Sequence, residues 1–179
     1  MRADAARNLD AVLQTGARLL ALDPGTSIAA IAEAAGVDRR TVYRRFTTRE
    51  ALMAAVYTAK LDACEKVLAQ ARLEEAPVAV ALHRYAEGII TVSRRWPVDL
   101  QQVQEAAASD RLRRLIEQLD AFMARAVRDG AVRPGLPDRW ARSLLVHLTH
   151  IASHEMPELT PAQGADMVTQ SLFTGLGPT

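Results

Sequence analysis

AGVDRRTVYRRF, residues 35–46, places Arg39, Arg40, Arg44 and Arg45 within seven positions and interleaves them with Thr41, Val42 and Tyr43. Like charges so dense on two helical turns repel one another, so they mark either a strongly solvated face or a surface that meets a polyanion. Gly36 offers the left-handed exit of a preceding helix, and Asp38 offers an N-cap for the next. Val37, Val42 and Phe46 fall on one side of that next helix and are expected to pack inward. At about 100° per residue, Arg40, Thr41, Arg44 and Arg45 fall on the opposite, exposed side, with Arg39 and Tyr43 at its margins.

Upstream, TSIAAIAEAAGV supplies Thr26 or Ser27 as N-cap and an inward face of Ile28, Ile31, Ala32 and Ala35. Ala32 and Ala35 are small enough to let two helices approach closely. Helix, glycine turn, helix is the pattern of a helix-turn-helix, in which the first helix braces the second and the second enters the DNA major groove. The exposed chemistry fits. Guanidinium forks match guanine O6 and N7 as well as phosphate oxygens, a threonine meets base edges or phosphates, and a tyrosine hydroxyl reaches phosphates. Arg40, Thr41 and Arg44 are therefore expected on base edges, and Arg39, Tyr43, Arg45 and Arg49 on phosphates. Thr26 or Ser27 adds a contact at the start of the bracing helix. The competing reading is a basic helix that is only solvated, or one that docks an acidic protein.

The longer stretch TSIAAIAEAAGVDRRTVYRRFTTREALMAAVY, residues 26–57, resembles the DNA-binding region of TetR-type transcriptional regulators. Ile31-Ala32, Ala35-Gly36-Val37, Thr41, Tyr43, Phe46, Arg49-Glu50 and Leu52 carry the resemblance. Two positions depart from the usual pattern. Asp38 stands where a serine cap is usual and can still cap, whereas Arg40 is large where the family is often small, which points to a different target sequence. The resemblance implies an all-α fold of about nine helices: an N-terminal three-helix helix-turn-helix domain joined through a long fourth helix to a helical ligand-binding and dimerisation domain. It implies residues 1–48 as the DNA-binding domain and residues 49–179 as the effector-binding and dimerisation domain. It further implies a repressor, not an enzyme, that binds palindromic operator DNA as a homodimer, needs no cofactor and is released by a small-molecule effector.

Composition is that of an ordinary globular protein: 179 residues, 49% hydrophobic, net charge +1. Split at residue 60, the first part carries nine basic and six acidic side chains and the second thirteen and fifteen, so the positive excess belongs to the helix-turn-helix region. Only Lys60 and Lys66 are lysines, a usage that a GC-rich genome also produces, so the choice of arginine proves nothing by itself. No apolar run reaches the roughly 18–20 residues of a membrane span, and the N-terminus lacks the apolar core of a secretory signal. Cys64 stands alone among apolar residues at helical spacing, which fits an inert buried thiol in a reducing cytoplasm.

DPG at 23–25 stops the first helix, and TTRE at 47–50 offers Thr47 or Thr48 as cap of a fourth helix marked by Leu52, Val56, Leu61, Cys64 and Leu68. Further helices are expected at 77–95, 99–107, 110–129, 138–155 and 161–174, the last opened by a Thr160/Gln163 capping box. Leu144, Leu145, Leu148, Ile151, Met167, Val168 and Leu172 give the last two helices apolar faces, suited to a dimer interface or to closing the monomer's core. His83, Tyr85, Trp96, Gln104, Phe122, Met123 and His147 are the candidates for lining an effector pocket, and the scarcity of aromatics and charge clusters points to an apolar, uncharged effector. His147, His150 and His154 share one side of a helix and raise a second reading, a helical metal-binding protein or metalloenzyme. Two turns, roughly 10 Å, separate the outer pair, so a metal would need a ligand from another helix or subunit.

Overall fold

The computed structural model describes residues 2–102 and 106–177, and all regular structure among them is helical. The α-helices are α1 Arg2–Leu22, α2 Ile28–Ala34, α3 Arg39–Arg45, α4 Arg49–Ala71, α5 Val78–Arg95, α6 Ala106–Arg128, α7 Trp140–His150 and α8 Pro161–Leu176. A 3₁₀ turn, Leu100–Gln102, and a π-helical segment, Ile151–Glu155, complete them. Two expectations are corrected. The helix foreseen at 99–107 is, within the described residues, a single turn whose Gln101 N–H donates to the Asp99 carboxylate at 2.9 Å, with α6 starting at Ala106. The helix foreseen at 138–155 widens after His150, where the Met156 N–H reaches back five residues to the Ile151 carbonyl at 3.2 Å.

The chain forms two compact units: Met1–Asp62 with Arg95–Ser109, and Ala63–Arg94 with Asp110–Thr179. In the first, α2 packs on both α1 and α3. Val12, Ala17 and Leu20 of α1, Ile31 and Ala32 of α2, Val42 and Phe46 around α3, and Leu52 and Val56 of α4 are buried together in this unit's core. Full burial of side chains such as Ile31 and Leu52 is worth about 1.5–3 kcal/mol each. The segment after α5 is tied to the same unit twice. Lys60, itself buried, donates from Nζ to the Val98 carbonyl at 2.6 Å, and the Arg95 guanidinium spans both carboxylate oxygens of Asp10 at 3.0 and 2.9 Å.

In the second unit α7, the π-helical segment and α8 pack on one another. Leu82, Ile90, Phe122, Leu145, Val168 and Leu172 are buried to within 2% exposure. Gly88 of α5 is required by close packing, since a Cβ there would lie 2.6 Å from Val67 Cγ1 of α4. The expected capping box opens α8: Thr160 Oγ1 accepts from the Gln163 N–H, and the Gln163 side chain accepts from the Thr160 N–H. From α5 the Arg94 guanidinium donates to the carbonyls of Leu159, Ala152, Met156 and Ser153 at 2.7, 2.8, 2.9 and 3.3 Å, closing the end of the π-helical segment and the loop that follows it. A helix end leaves its last carbonyls without intrahelical partners, and here a side chain from another helix supplies them.

Candidate nucleic-acid interface

The local geometry of α2, the turn and α3 follows the sequence closely. The Asp23 carboxylate accepts from Gly25 N–H at 2.8 Å, closing the turn after α1. Ser27, of the two candidates, is the N-cap of α2, accepting from Ala30 N–H at 3.1 Å. Thr26 instead donates its hydroxyl to the Asp23 carbonyl at 2.8 Å. At the other end Gly36 has φ +66°, its N–H donates to Glu33 O at 3.1 Å, and the Val37 N–H donates to Ala32 O at 3.0 Å. This pair of bonds is the Schellman closure, and it turns the chain sharply into α3. Asp38 Oδ1 accepts from Thr41 N–H at 3.1 Å, and Thr48, not Thr47, caps α4 by accepting from Ala51 N–H at 3.1 Å.

Val42, 2% exposed, fixes the rotation of α3, and Phe46 is buried beside the helix's end. Arg39, Arg40, Thr41, Tyr43, Arg44 and Arg45 are all exposed. With Val42 inward, Arg40 and Arg44 lie on the side directly away from the core. This places two guanidiniums one helical turn apart on a surface that a groove can receive. Sequence reasoning missed the partner of Arg39: its Nη2 lies 2.7 Å from a Glu33 carboxylate oxygen, an exposed pair linking α3 to its bracing helix. No rule of helical spacing reaches across the Gly36 turn, so this contact had no sequence signal. Arg49 in the first turn of α4 is half-buried, and its Nε has no hydrogen-bond partner.

Residues 13–56 match the family described as bacterial regulatory proteins, tetR family. By this region the chain is similar to TetR-family regulators. That family is one of regulatory proteins. Solved structures, TetR regulators among them, share the fold over nearly the whole chain. Apo AibR has a TM-score of 0.76 at 24% identity, covering 96% of this chain and 99% of its own. The TetR-like regulator LfrR from Mycobacterium smegmatis, in complex with proflavine, has a TM-score of 0.72 at 22% identity, covering 97% and 99%. The TetR regulator SCO0520 from Streptomyces coelicolor has a TM-score of 0.61 at 25% identity, covering 96% and 99%. No curated protein matches the chain in sequence.

The second unit holds most of the other residues singled out from sequence, but it does not gather them. Among the pocket candidates, Phe122 lines a cavity of about 660 Å³ between α4 and α6. Tyr85 is buried, and burial pushes its phenol well above the usual range. Met123 is also buried, His83 is half-buried with Nε2 2.9 Å from an Asp166 carboxylate oxygen, and His147 is exposed with Nδ1–H donating to its own helix at Ser143 O, 2.7 Å away. Trp96 is buried in the first unit, and Gln104 lies outside the described residues. Among the dimer candidates, Leu145, Val168 and Leu172 are consumed by the core of the unit, and Leu144 and Leu148 are half-buried. Ile151 and Met167 remain on the surface, together with Trp140 and Val146. The histidines do not converge. The His150 and His154 rings stack with centroids 4.5 Å apart, and a ligated metal lies in the plane of each ring, which near-parallel stacked rings do not share. No group of three or more His, Cys, Asp or Glu among the described residues is placed to hold a metal. No described helix is long and apolar enough to cross a membrane.

Proposed function

We propose that this protein is a one-component cytoplasmic regulator of the TetR type, a repressor in its default sign, that binds palindromic operator DNA as a homodimer and lets go when a small molecule occupies the second unit. The supporting observation is the outward row on α3, with Arg40 and Arg44 opposite the buried Val42. In this reading residues 1–48 bind DNA and residues 49–179 dimerise and sense. Arg40, Thr41 and Arg44 read base edges, because a guanidinium fork matches guanine O6 and N7. Tyr43, Arg45 and Arg49 hold phosphates, Arg39 reaches a phosphate only by exchanging Glu33, and Ser27 and Thr26 flank the backbone from the start of α2.

A two-fold reader is the natural match for two half-sites in successive major grooves. Trp140, Leu144 and His147 of α7 and Ile151 at the start of the π-helical segment recur at helical spacing, and Met167 stands exposed on α8; these supply the surface for the second copy. The complex of LfrR with proflavine supports a small-molecule effector for this fold. To move a dimer from almost all bound to almost all released, the effector must prefer the released state by about 5 kcal/mol. The deciding experiment is capture of sheared genomic DNA from the source organism at about 150 mM salt, which suppresses non-specific phosphate binding. A short shared palindrome among the retained fragments supports the reading. Uniform retention, or none, overturns it.

A further inference from the structure

In the second unit α4 and α6 run side by side in the same chain direction and are tied at two places. Glu65 takes the Arg111 guanidinium on both carboxylate oxygens, each bond 2.8 Å. Further along, Arg125 donates to the carbonyls of Leu73 and Ala76, where α4 gives way to the next turn. Between the ties the helix surfaces present Ala69 and Ala121, both exposed and too small to close the gap. The resulting trough encloses about 660 Å³, within the size range of small-molecule sites. Its floor is Leu68, Leu73, Leu115 and Phe122, none more than 7% exposed. From Glu65 to Leu73 the helical rise makes it roughly 12 Å long.

Three glutamates and three arginines line it, and most of this charge is already spent. Glu65 is held by Arg111, Arg72 by Glu75, and Arg125 by the two carbonyls and Asp129. Glu74 and Arg128 carry no ion pair among the described residues, and both lie toward the end that Arg125 ties. We propose that the trough binds an elongated, single-chain apolar molecule with an uncharged or zwitterionic head, its chain over Leu68, Leu115 and Phe122 and its head toward Glu74 and Arg128. A head of net charge meets one like charge for each opposite one, so the trough selects against it. This assignment deepens the effector part of the proposed function, and it rests on that reading only for the consequence of occupancy.

The test uses the full chain with Nile red, a neutral apolar dye, as probe. One dye should bind saturably per chain. Ala69→Trp and Ala121→Trp, at exposed helical positions, should each weaken it tenfold or more with the circular dichroism spectrum unchanged. Decyl glucoside, below its micelle concentration, should displace the dye at lower concentration than decanoate or decyltrimethylammonium. Dye binding indifferent to both tryptophans, or absent, overturns the site, and better displacement by either ionic amphiphile overturns the ligand class. Loss of a larger sedimenting species in both variants, with dye binding intact, overturns it too, since the trough would then be a contact between copies. Operator retention by the unliganded chain is scored separately, so failure of the regulator reading appears in a different measurement.

Discussion

Replacing Arg94 by methionine keeps most of the aliphatic stem and deletes the guanidinium that bonds four carbonyls. Ala152 and Ser153 are buried, so loss of the donor leaves their carbonyls without ready access to water. Met156 is 41% exposed, and water can replace the donor at its carbonyl and, at less than full cost, at that of Leu159. A hydrogen bond from a charged donor is worth about 1.5–3 kcal/mol, and a lost one costs most where the acceptor stays buried. The 3.3 Å bond to Ser153 belongs at the weak end of that range. The expected loss is therefore about 3–4 kcal/mol, dominated by Ala152 and Ser153. Urea unfolding at one fixed protein concentration measures it, because any dimer adds a concentration-dependent contribution. Amide exchange across 152–160 should accelerate, and Arg94→Lys should fall between the two, because an ammonium cannot fork to four carbonyls. Because these bonds fix the connection between α7 and α8, the proposed dimer should dissociate before unfolding in the methionine variant. A loss under about 1 kcal/mol with unchanged exchange would refute the clamp, since the carbonyls would have found other partners.

Four further outcomes are expected. Arg40→Ala should cost about 1–3 kcal/mol of operator affinity and relax preference at one base position; equal losses on every DNA sequence would make it a phosphate contact. Arg45→Ala should weaken all sequences alike and flatten the salt dependence by about one unit per half-site, and an unchanged slope removes it from the phosphate contacts. Gly36→Ala forces a side chain into φ +66° and should cost about 1–2 kcal/mol of stability, read as a lower melting temperature; no change would mean that the turn relaxes freely. The Arg111 hydrogen bond and charge hold the Glu65 carboxyl below its ordinary range, against the smaller opposing effect of burial. A depressed folded pKa gives stability that is present above the unfolded value, about 4.3, and is lost as pH falls through the lower folded value. Arg111→Met should therefore destabilise at neutral pH and converge with the parent in acid, whereas a gap constant with pH would assign the effect to packing alone.

Much of the helix-turn-helix was legible because its signals are short in range. Gly36 as helix exit, Asp38 as cap and the inward phase of Val42 and Phe46 each depend on bonds or periodicity spanning a few residues, and each is found. Even there the choice of Ser27 over Thr26, and of Thr48 over Thr47, came from which hydroxyl the folded backbone brings to an open N–H. The π-helical widening after His150 had no local signal, since it accompanies a guanidinium from α5, nearly sixty residues away, drawing on the carbonyls of Ala152 and Ser153.

The sequence by itself determined the helical class, the turn and the outward arginine row, because caps, glycine conformations and apolar phase act within a helical turn or two. Tertiary structure decided which apolar residues remain available. Val168 and Leu172 look no different in sequence from Met167, yet they are buried while Met167 is 55% exposed. Phe122 lines a trough and Tyr85 is enclosed in the core, although both read alike as aromatics on amphipathic helices. Helical periodicity assigns a residue to a face, but only packing against other helices decides whether that face is covered.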